Sequence, residues 1–266
     1  MIVEVHGDPR TFTRGYGSPA RRLLSPIADG VSRTALRRAD ATRALSAFTS
    51  SLVEATRGLP ATATFPTYSD LSAFFEPPVV PVREAQTLVF VGALEPYKNV
   101  RGLAAAWREL ALELPEAKLV VIGRGSLRGV VDRLVADLPG QVEHHAELGP
   151  SDVAAAMDTG RTLVLPSWPE GLGRVVLEAF ARGRGAVATN AGGITDIVTN
   201  GHDGLLIPPG DTAALVAAMR SVLVDHKLAV RIGENARATY LAWHQTAEDF
   251  AAAYRKLIDD VLAGAR

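Results

Sequence analysis

Cysteine is absent from this 266-residue sequence, aromatic residues make up only 6% of it, and neither sign of charge dominates. The lack of cysteine excludes disulfide bonds and thiol catalysis. With 28 basic and 29 acidic residues, the formal net charge of −1 creates no overall field that favours nucleic acid as a partner. No apolar run reaches the roughly 18 residues of a membrane-spanning helix. Residues 1–6 lack the basic and apolar regions of a signal peptide, so we expect a cytoplasmic protein.

What remains is the composition of an ordinary globular protein, with 47% hydrophobic and 21% charged residues. The length allows one large or two small domains. From Gln86 onward, continuous apolar segments alternate with helical ones, beginning with a strand at 87–91 and a helix at about 100–114. This alternation predicts an α/β fold in which a parallel sheet is covered on both faces, a Rossmann-like lobe. Such lobes bind ligands at the carboxyl ends of their strands.

The segment before Gln86 is less regular. Its pattern predicts strands and helices in alternation, at 2–6, 21–38, 41–47, 49–57 and 61–66. Residues 67–84 contain Pro77, Pro78 and Pro81 and are interpreted as a linker.

The most informative stretch follows an apolar strand at 161–165. Prolines and glycines form a turn, and an amphipathic helix is predicted from about Leu172. A strand, a glycine-containing turn and a helix in this order point backbone N–H groups and the positive end of the helix dipole at an anion. Glu170 lies in the turn, and Glu178 is expected about two turns along the helix. Carboxylates accept strong hydrogen bonds from vicinal diols, which suits a sugar nucleotide; two surface glutamates beside a βα turn would share this spacing.

This stretch contains Pro166-Ser167-x-x-Glu170-Gly171-x-Gly173 followed by Glu178. The pattern is similar to the E-x7-E signature of the retaining glycosyltransferases of family 4, which have the GT-B fold of two Rossmann-like lobes and bind the donor in the second lobe. The resemblance implies that Glu170 contacts the donor sugar and that Glu178 contacts the ribose diol. It also assigns sugar and phosphate oxygens to the backbone N–H groups of Gly171, Leu172 and Gly173, with Leu172 in place of a usual aromatic residue.

The loop after the strand at 87–91 contains Pro96-Tyr97-Lys98-Asn99 and resembles the first donor-lobe loop of that family. In the family, a lysine and an arginine of this loop usually hold the donor diphosphate. The resemblance gives Lys98 this role, whereas Ala93 stands where the arginine is usual. Arg124 and Arg174 are the candidate replacements.

A second similarity lies in Val121-Ile122-Gly123-Arg124-Gly125, which resembles the next strand of the donor lobe and its glycine turn. We therefore interpret Gly123 and Arg124 as donor-binding residues. Close packing of a helix would explain a lone Gly-x-Gly pattern equally well.

The first residues resemble a late strand of the acceptor lobe, whose end carries a histidine near the reacting sugar. The resemblance thus adds His6 to Glu170 and Lys98 as the expected catalytic residues, although a histidine at an exposed strand end would look the same. It also implies an incomplete N-terminal lobe. The expected domains are a remnant of the acceptor lobe with a linker at 1–80, a nucleotide-sugar-binding Rossmann-like domain at 81–242, and a C-terminal helix at 243–266 that packs back toward the N-terminal lobe.

From this resemblance we expect a hexosyltransferase-like enzyme that transfers a sugar from a nucleotide-diphosphate donor to a glycan, lipid or small-molecule acceptor with retention of configuration. The sequence contains no cluster of metal ligands, so neither a metal nor another cofactor is expected. The short front end supports an alternative, a donor-binding module without turnover or one half of a two-chain enzyme. A third and weaker hypothesis is an epimerase of similar architecture, which would need no acceptor.

The first predicted helix and its surroundings are locally basic. A solvated helix face is the usual cause of such a cluster, but some relatives use a helix of this kind on anionic lipid surfaces. Peripheral contact with the inner membrane face is therefore the alternative to a purely cytoplasmic location. The basic residues are Arg21, Arg22, Arg33, Arg37, Arg38 and Arg43.

Overall fold

The computed structural model describes residues 1–8 and 19–264, and the chain divides into two compact units. The first unit comprises Met1–Ser69, Glu170–Leu172 and His244–Arg266. The second comprises Asp70–Pro169 and Gly173–Trp243. Residues 70–80, which the sequence groups with the first domain, thus lie in the second unit.

The first unit contains a three-stranded parallel sheet in the order β1-β2-β3, with a small core built from Val5, Leu36 and Val53. Its strands are β1 (Ile2–Val5), β2 (Ala41–Ala44) and β3 (Ala63–Thr64), and its helices are α1 (Pro19–Arg38), α2 (Ala47–Arg57) and the C-terminal α11 (Ala247–Gly264). Helix α2 begins where the Ser46 side chain accepts a hydrogen bond from the Thr49 N–H, a typical capping arrangement.

The second unit contains a six-stranded sheet with parallel pairing throughout, in the order β6-β5-β4-β7-β8-β9. The strands are β4 (Thr87–Val91), β5 (Lys118–Ile122), β6 (Val142–His145), β7 (Thr162–Leu165), β8 (Gly185–Thr189) and β9 (Gly204–Ile207). The helices are α3 (Ser72–Phe75), α4 (Val100–Glu113), α5 (Arg128–Asp137), α6 (Pro150–Thr159), α7 (Arg174–Ala181), α8 (Ile194–Ile197), α9 (Thr212–Val224) and α10 (His226–Trp243).

Burial explains why these sequences form a sheet of this kind. The central strands are mostly apolar and almost entirely buried, and residues such as Leu88, Phe90 and Val164 are fully inaccessible to solvent. Helices cover both faces, as a parallel sheet requires. Trp107 of α4 is completely buried. The α/β fold with parallel sheets and the Rossmann-like lobe are therefore confirmed. Within the described residues, no helix combines the length and apolar character needed to cross a bilayer.

The segment interpreted from sequence as a linker belongs to the second unit from Asp70 onward. It contains helix α3, and buried arginines bind its backbone carbonyls. The Arg182 guanidinium donates to the carbonyls of Pro77 and Pro78, each at 2.8 Å, and that of Arg184 donates to the carbonyl of Val80 at 2.9 Å. Proline has no backbone N–H to donate, but its carbonyl remains a good acceptor, and side chains from a distant part of the chain satisfy these carbonyls here.

Candidate functional site

The sheet of the second unit has a topological switch point between the neighbouring strands β4 and β7. The chain adds β5 and β6 on the side of β4, and β8 and β9 on the side of β7. A crevice forms at the carboxyl ends of the strands at such a point. The loop after β4 leads to Lys98, and the loop after β7 leads to helix α7. The backbone N–H of Trp168 donates to the carbonyl of Tyr97 at 2.7 Å, so the two loops are joined directly. Two segments predicted to bind the donor thus meet at this edge.

Lys98 ends a short 3-10 turn, Pro96–Lys98, and its side chain is largely buried. Gly92, at the end of β4, leaves room for the lysine stem: a Cβ at this position would lie 3.3 Å from Cε of Lys98. The Nζ atom lies 5.3 Å from the centroid of the Tyr97 ring, within the range of a cation–π interaction. The positive charge is therefore fixed beside the carboxyl end of β4.

Helix α7 begins at Arg174, two residues later than the sequence predicts. The reason is Gly173, whose φ of +82° is a left-handed conformation that glycine adopts at little cost and that interrupts the helix. Gly173, the N-cap residue, has no side chain that could cap this end, and the helix dipole creates a positive potential there that favours an anion. Glu178 accordingly lies about one turn into the helix rather than two. It is buried, and its Oε1 accepts a hydrogen bond from Nε of Arg174 at 2.8 Å.

Gly123 and Arg124 follow β5 at the same edge of the sheet. Gly123 has a φ of +145°, and a Cβ there would lie 2.0 Å from the carbonyl oxygen of Gly92. Its N–H donates to the carbonyl of His145 at 2.8 Å. Close backbone approach alone therefore requires this glycine. Arg124 is exposed and pairs with Glu147, with 2.8 Å between Nη1 and Oε2.

The loop that carries Glu170, Gly171 and Leu172 belongs to the first unit. Gly171 packs against the end of β1 so closely that a Cβ would lie 1.9 Å from the carbonyl oxygen of His6. The Ser46 hydroxyl donates to the carbonyl of Gly171 at 2.6 Å. In this unit the structure therefore places the glycine of the E-x7-E pattern next to the predicted histidine, with Glu170 directly preceding it.

The His6 side chain is exposed, and its ring contacts the carboxylate of Glu4. Its Nε2 lies 3.0 Å from Oε2 of Glu4, and the same oxygen accepts a hydrogen bond from Nη1 of Arg43 at 2.9 Å. The other carboxylate oxygen, Oε1, accepts a hydrogen bond from the Tyr254 hydroxyl. Burial raises the pKa of the Glu4 carboxyl, but the hydrogen bonds from Tyr254 and His6 and the charge of Arg43 outweigh it, so the pKa lies below its ordinary value. Aromatic rings surround the buried Arg43 guanidinium, namely those of Phe65, Phe250 and Tyr254.

Two residues at these sites were not singled out from the sequence. Trp168 is 42% exposed at the switch point, and a Cβ on Gly210 would lie 2.8 Å from its ring, so the indole is wedged against a glycine turn. A tryptophan among prolines and glycines directly after a predicted strand is the sequence signal that could have indicated it. Ser46 carries a recognisable capping pattern with Thr49, but nothing in the sequence indicates its bond to Gly171, 125 positions away.

The family model described as "Glycosyl transferases group 1" matches residues 76–239, more than half of the sequence. The chain belongs to this family. Sulfoquinovosyl transferase SQD2 of Arabidopsis thaliana is 36% identical over 128 residues, which cover 47% of this chain and 25% of that protein. The present chain therefore spans about a quarter of that relative's length.

Solved glycosyltransferase structures share the fold of this group 1 chain. Sucrose-phosphate synthase from Thermosynechococcus elongatus superimposes with a TM-score of 0.81 at 22% identity, covering 99% of this chain and 68% of the other. Anabaena HepE, solved in complex with UDP-glucose, gives a TM-score of 0.76 at 20% identity and covers 97% and 72% of the two chains. At these identities the likeness establishes the GT-B architecture and no more.

Proposed function

We propose that this group 1 chain is a glycosyltransferase that transfers a sugar from a nucleotide-diphosphate donor to an acceptor with retention of configuration. The observation that carries the proposal is the meeting of the Lys98 loop and the N-terminal end of α7 at the switch point. A fixed lysine charge and an uncapped helix N-terminus suit a diphosphate. Glu178, one turn into the helix, suits the ribose diol. That HepE was solved with UDP-glucose supports a donor of this class.

In this proposal Glu170 binds hydroxyl groups of the donor sugar, and the N–H groups of Gly171, Leu172 and Gly173 bind sugar and phosphate oxygens. We assign His6 a position near the reacting sugar, and the packing of its carbonyl against Gly171 supports this assignment. Gly123 shapes the loop after β5 without contributing its N–H, which is used within the protein.

With Ala93 in place of the usual arginine, the loop provides one cation fewer for the diphosphate, and we propose Arg174 rather than Arg124 as the replacement. Arg174 is the first residue of α7, at the end of the helix to which we assign the phosphates. Arg124 is instead paired with Glu147 in solvent. Donor binding would then require Arg174 to exchange its bond to Glu178 for a bond to phosphate.

The reaction requires that the bond between the anomeric carbon and the diphosphate oxygen breaks while a bond to the acceptor oxygen forms on the same face of the sugar. The acceptor hydroxyl gives its proton to the departing diphosphate. Negative charge grows on that diphosphate, and Lys98 together with the α7 N–H groups stabilises it. Because these groups stabilise the negative charge of the diphosphate, we propose that the reaction needs no metal. The transferase is favoured over a binding module without turnover, since the matched family consists of glycosyltransferases.

We also propose peripheral contact of helix α1 with anionic lipid. Leu23, Ile27 and Val31 are 81%, 67% and 64% exposed, whereas Ser25 and Asp29 on the opposite face are buried. The helix therefore turns its apolar face outward, as interfacial helices do. Exposed arginines flank this face and complement anionic headgroups: Arg33, Arg37 and Arg38. The protein should sediment with phosphatidylglycerol vesicles but not with phosphatidylcholine vesicles. Ile27→Asp should abolish the sedimentation. Equal sedimentation with both lipids would argue against charge complementarity between the arginines and the headgroups.

A panel of nucleotide sugars tested by thermal shift examines the central proposal. A donor that binds only the folded state raises the melting temperature in proportion to the logarithm of its concentration over Kd. The donor that gives the largest shift is then offered with glycan, lipid and small-molecule acceptors, and retention is read from the anomeric configuration of the product. A panel in which neither nucleotide sugars nor nucleoside diphosphates raise the melting temperature would refute the proposed function.

A further inference from the structure

Ser46 makes an unusual pair of hydrogen bonds through one hydroxyl group. It stands between β2 and α2, is almost fully buried, and has extended backbone dihedrals with a φ of −156°. Its Oγ accepts a hydrogen bond from the Thr49 N–H at 3.1 Å, which caps the helix. The same Oγ donates its proton to the carbonyl of Gly171 at 2.6 Å. Helix capping accounts for the first bond and gives no reason for the second.

The second bond fixes the orientation of a peptide plane. A trans peptide is planar, so its C=O and N–H point in opposite directions. Holding the Gly171 carbonyl at Ser46 therefore directs the Leu172 N–H to the other side. That N–H is one of the groups to which we assign sugar or phosphate oxygens.

The loop needs such a restraint because its own sequence does not provide one. Gly171 and Gly173 flank Leu172, and glycine populates many backbone conformations at low cost. No larger residue can replace Gly171 without displacing the chain, since a Cβ would meet the carbonyl oxygen of His6 at 1.9 Å. Close packing at His6 therefore requires glycine, the most flexible residue, at position 171, although the peptide between Gly171 and Leu172 needs one fixed orientation.

We propose that Ser46 is a positioning residue of the transfer reaction: its hydroxyl locks the peptide between Gly171 and Leu172 so that the Leu172 N–H faces the donor. This inference rests on the proposed function. The proposed role does not depend on any direct contact between Ser46 and a ligand.

Three variants separate this role from helix capping. Ser46→Gly removes the donor to Gly171, yet glycine is itself an accepted N-cap residue. Ser46→Thr keeps both hydrogen bonds. Thr49→Val is the stability control, because it removes the acceptor of two buried N–H groups, at Leu45 and Ser46, while leaving the bond to Gly171 in place.

Ser46→Gly should raise the KM or Kd of the nucleotide sugar by about 3- to 10-fold, the effect of losing one hydrogen bond, and should speed amide exchange over residues 170–173. Ser46→Thr should restore both. Thr49→Val should lower the melting temperature without changing the donor constants. Unchanged donor affinity in folded Ser46→Gly overturns the inference. If the wild-type protein binds no nucleotide sugar, the proposed function fails and the donor role of Ser46 with it, whereas faster exchange in Ser46→Gly would still show that the hydroxyl restrains the loop.

Discussion

Replacing Asp158 by asparagine should destabilise the protein strongly, because this carboxylate is the charge partner of two buried arginines. Its Oδ2 lies 2.7 Å from Nη2 of Arg182, its Oδ1 lies 3.0 Å from Nε of the same residue, and Nη2 of Arg184 lies 3.7 Å from Oδ1. The side chains of both arginines are only 2% exposed. Asparagine keeps the shape of the side chain and removes the charge.

The size of the effect follows from what remains around the two arginines. Their other hydrogen bonds go to backbone carbonyls, such as those of Pro77 and Val80, which solvate a cation but carry no net charge. Burial lowers the pKa of Arg184 to about 10, and Asp158 opposes that decrease. Removing one partner of a buried ion pair costs about 3–5 kcal/mol. At about 2–4 °C per kcal/mol for a domain of this size, the melting temperature should fall by about 6–20 °C.

Urea unfolding and a thermal scan of Asp158→Asn provide the measurement. The matched control is Asp137→Asn, which breaks a pair of similar length, 2.7 Å to Arg108, with both side chains about half exposed. Such surface pairs contribute about 0–1 kcal/mol. Losses of equal size in the two variants would refute the reasoning that burial makes the Asp158 charge essential.

Three further predictions concern the sites. Glu178→Ala should weaken nucleoside diphosphate binding in calorimetry by about 1–3 kcal/mol, whereas Glu170→Ala should weaken only the nucleotide sugar; equal losses of both ligands in the Glu170 variant contradict its sugar role. The folded pKa of Glu4 lies below its ordinary value of 4.5, so the stability that its bonds contribute is present above that pH and is lost as the pH falls through the folded pKa. In Glu4→Gln the free energy of unfolding should therefore decrease less steeply as the pH is lowered. The same decrease in the variant and in the wild-type protein would contradict this prediction. Chelation with EDTA should leave transfer intact, and its loss would show that a metal carries part of the diphosphate charge.

The sequence predicted the second unit well because its signals are local. Continuous apolar runs such as 87–91 and 162–165 can be read as buried parallel strands, and the helices between them follow from short-range periodicity. Lys98 and Glu178 were instead singled out by the resemblance to a family motif, and the parallel topology then brings their loops to one edge of the sheet. That these loops lie at the same edge could be predicted, because parallel strands bring the loops at their carboxyl ends together.

Contacts between distant residues could not be predicted in this way. The proline-containing segment after Asp70 carries no strong helical or strand pattern, yet Arg182 and Arg184 bind its carbonyls from about 100 positions away. The start of α7 was placed two residues early because a glycine in a helical pattern does not reveal its φ; only the structure shows the value of +82° at Gly173.

The two glutamates of the E-x7-E pattern belong to different units, and different contacts hold each of them. Glu170 belongs to the first unit and Glu178 to the second, although only seven residues separate them. The bond from Ser46 and the close packing at His6 hold Gly171 in the first unit, while Gly173 starts α7 in the second. Because different parts of the chain support the two carboxylates, a change at Ser46 should alter the contacts proposed for the Glu170 loop and leave intact the contact proposed between Glu178 and ribose. The loss of affinity in Ser46→Gly should therefore be larger for a nucleotide sugar than for the nucleoside diphosphate alone.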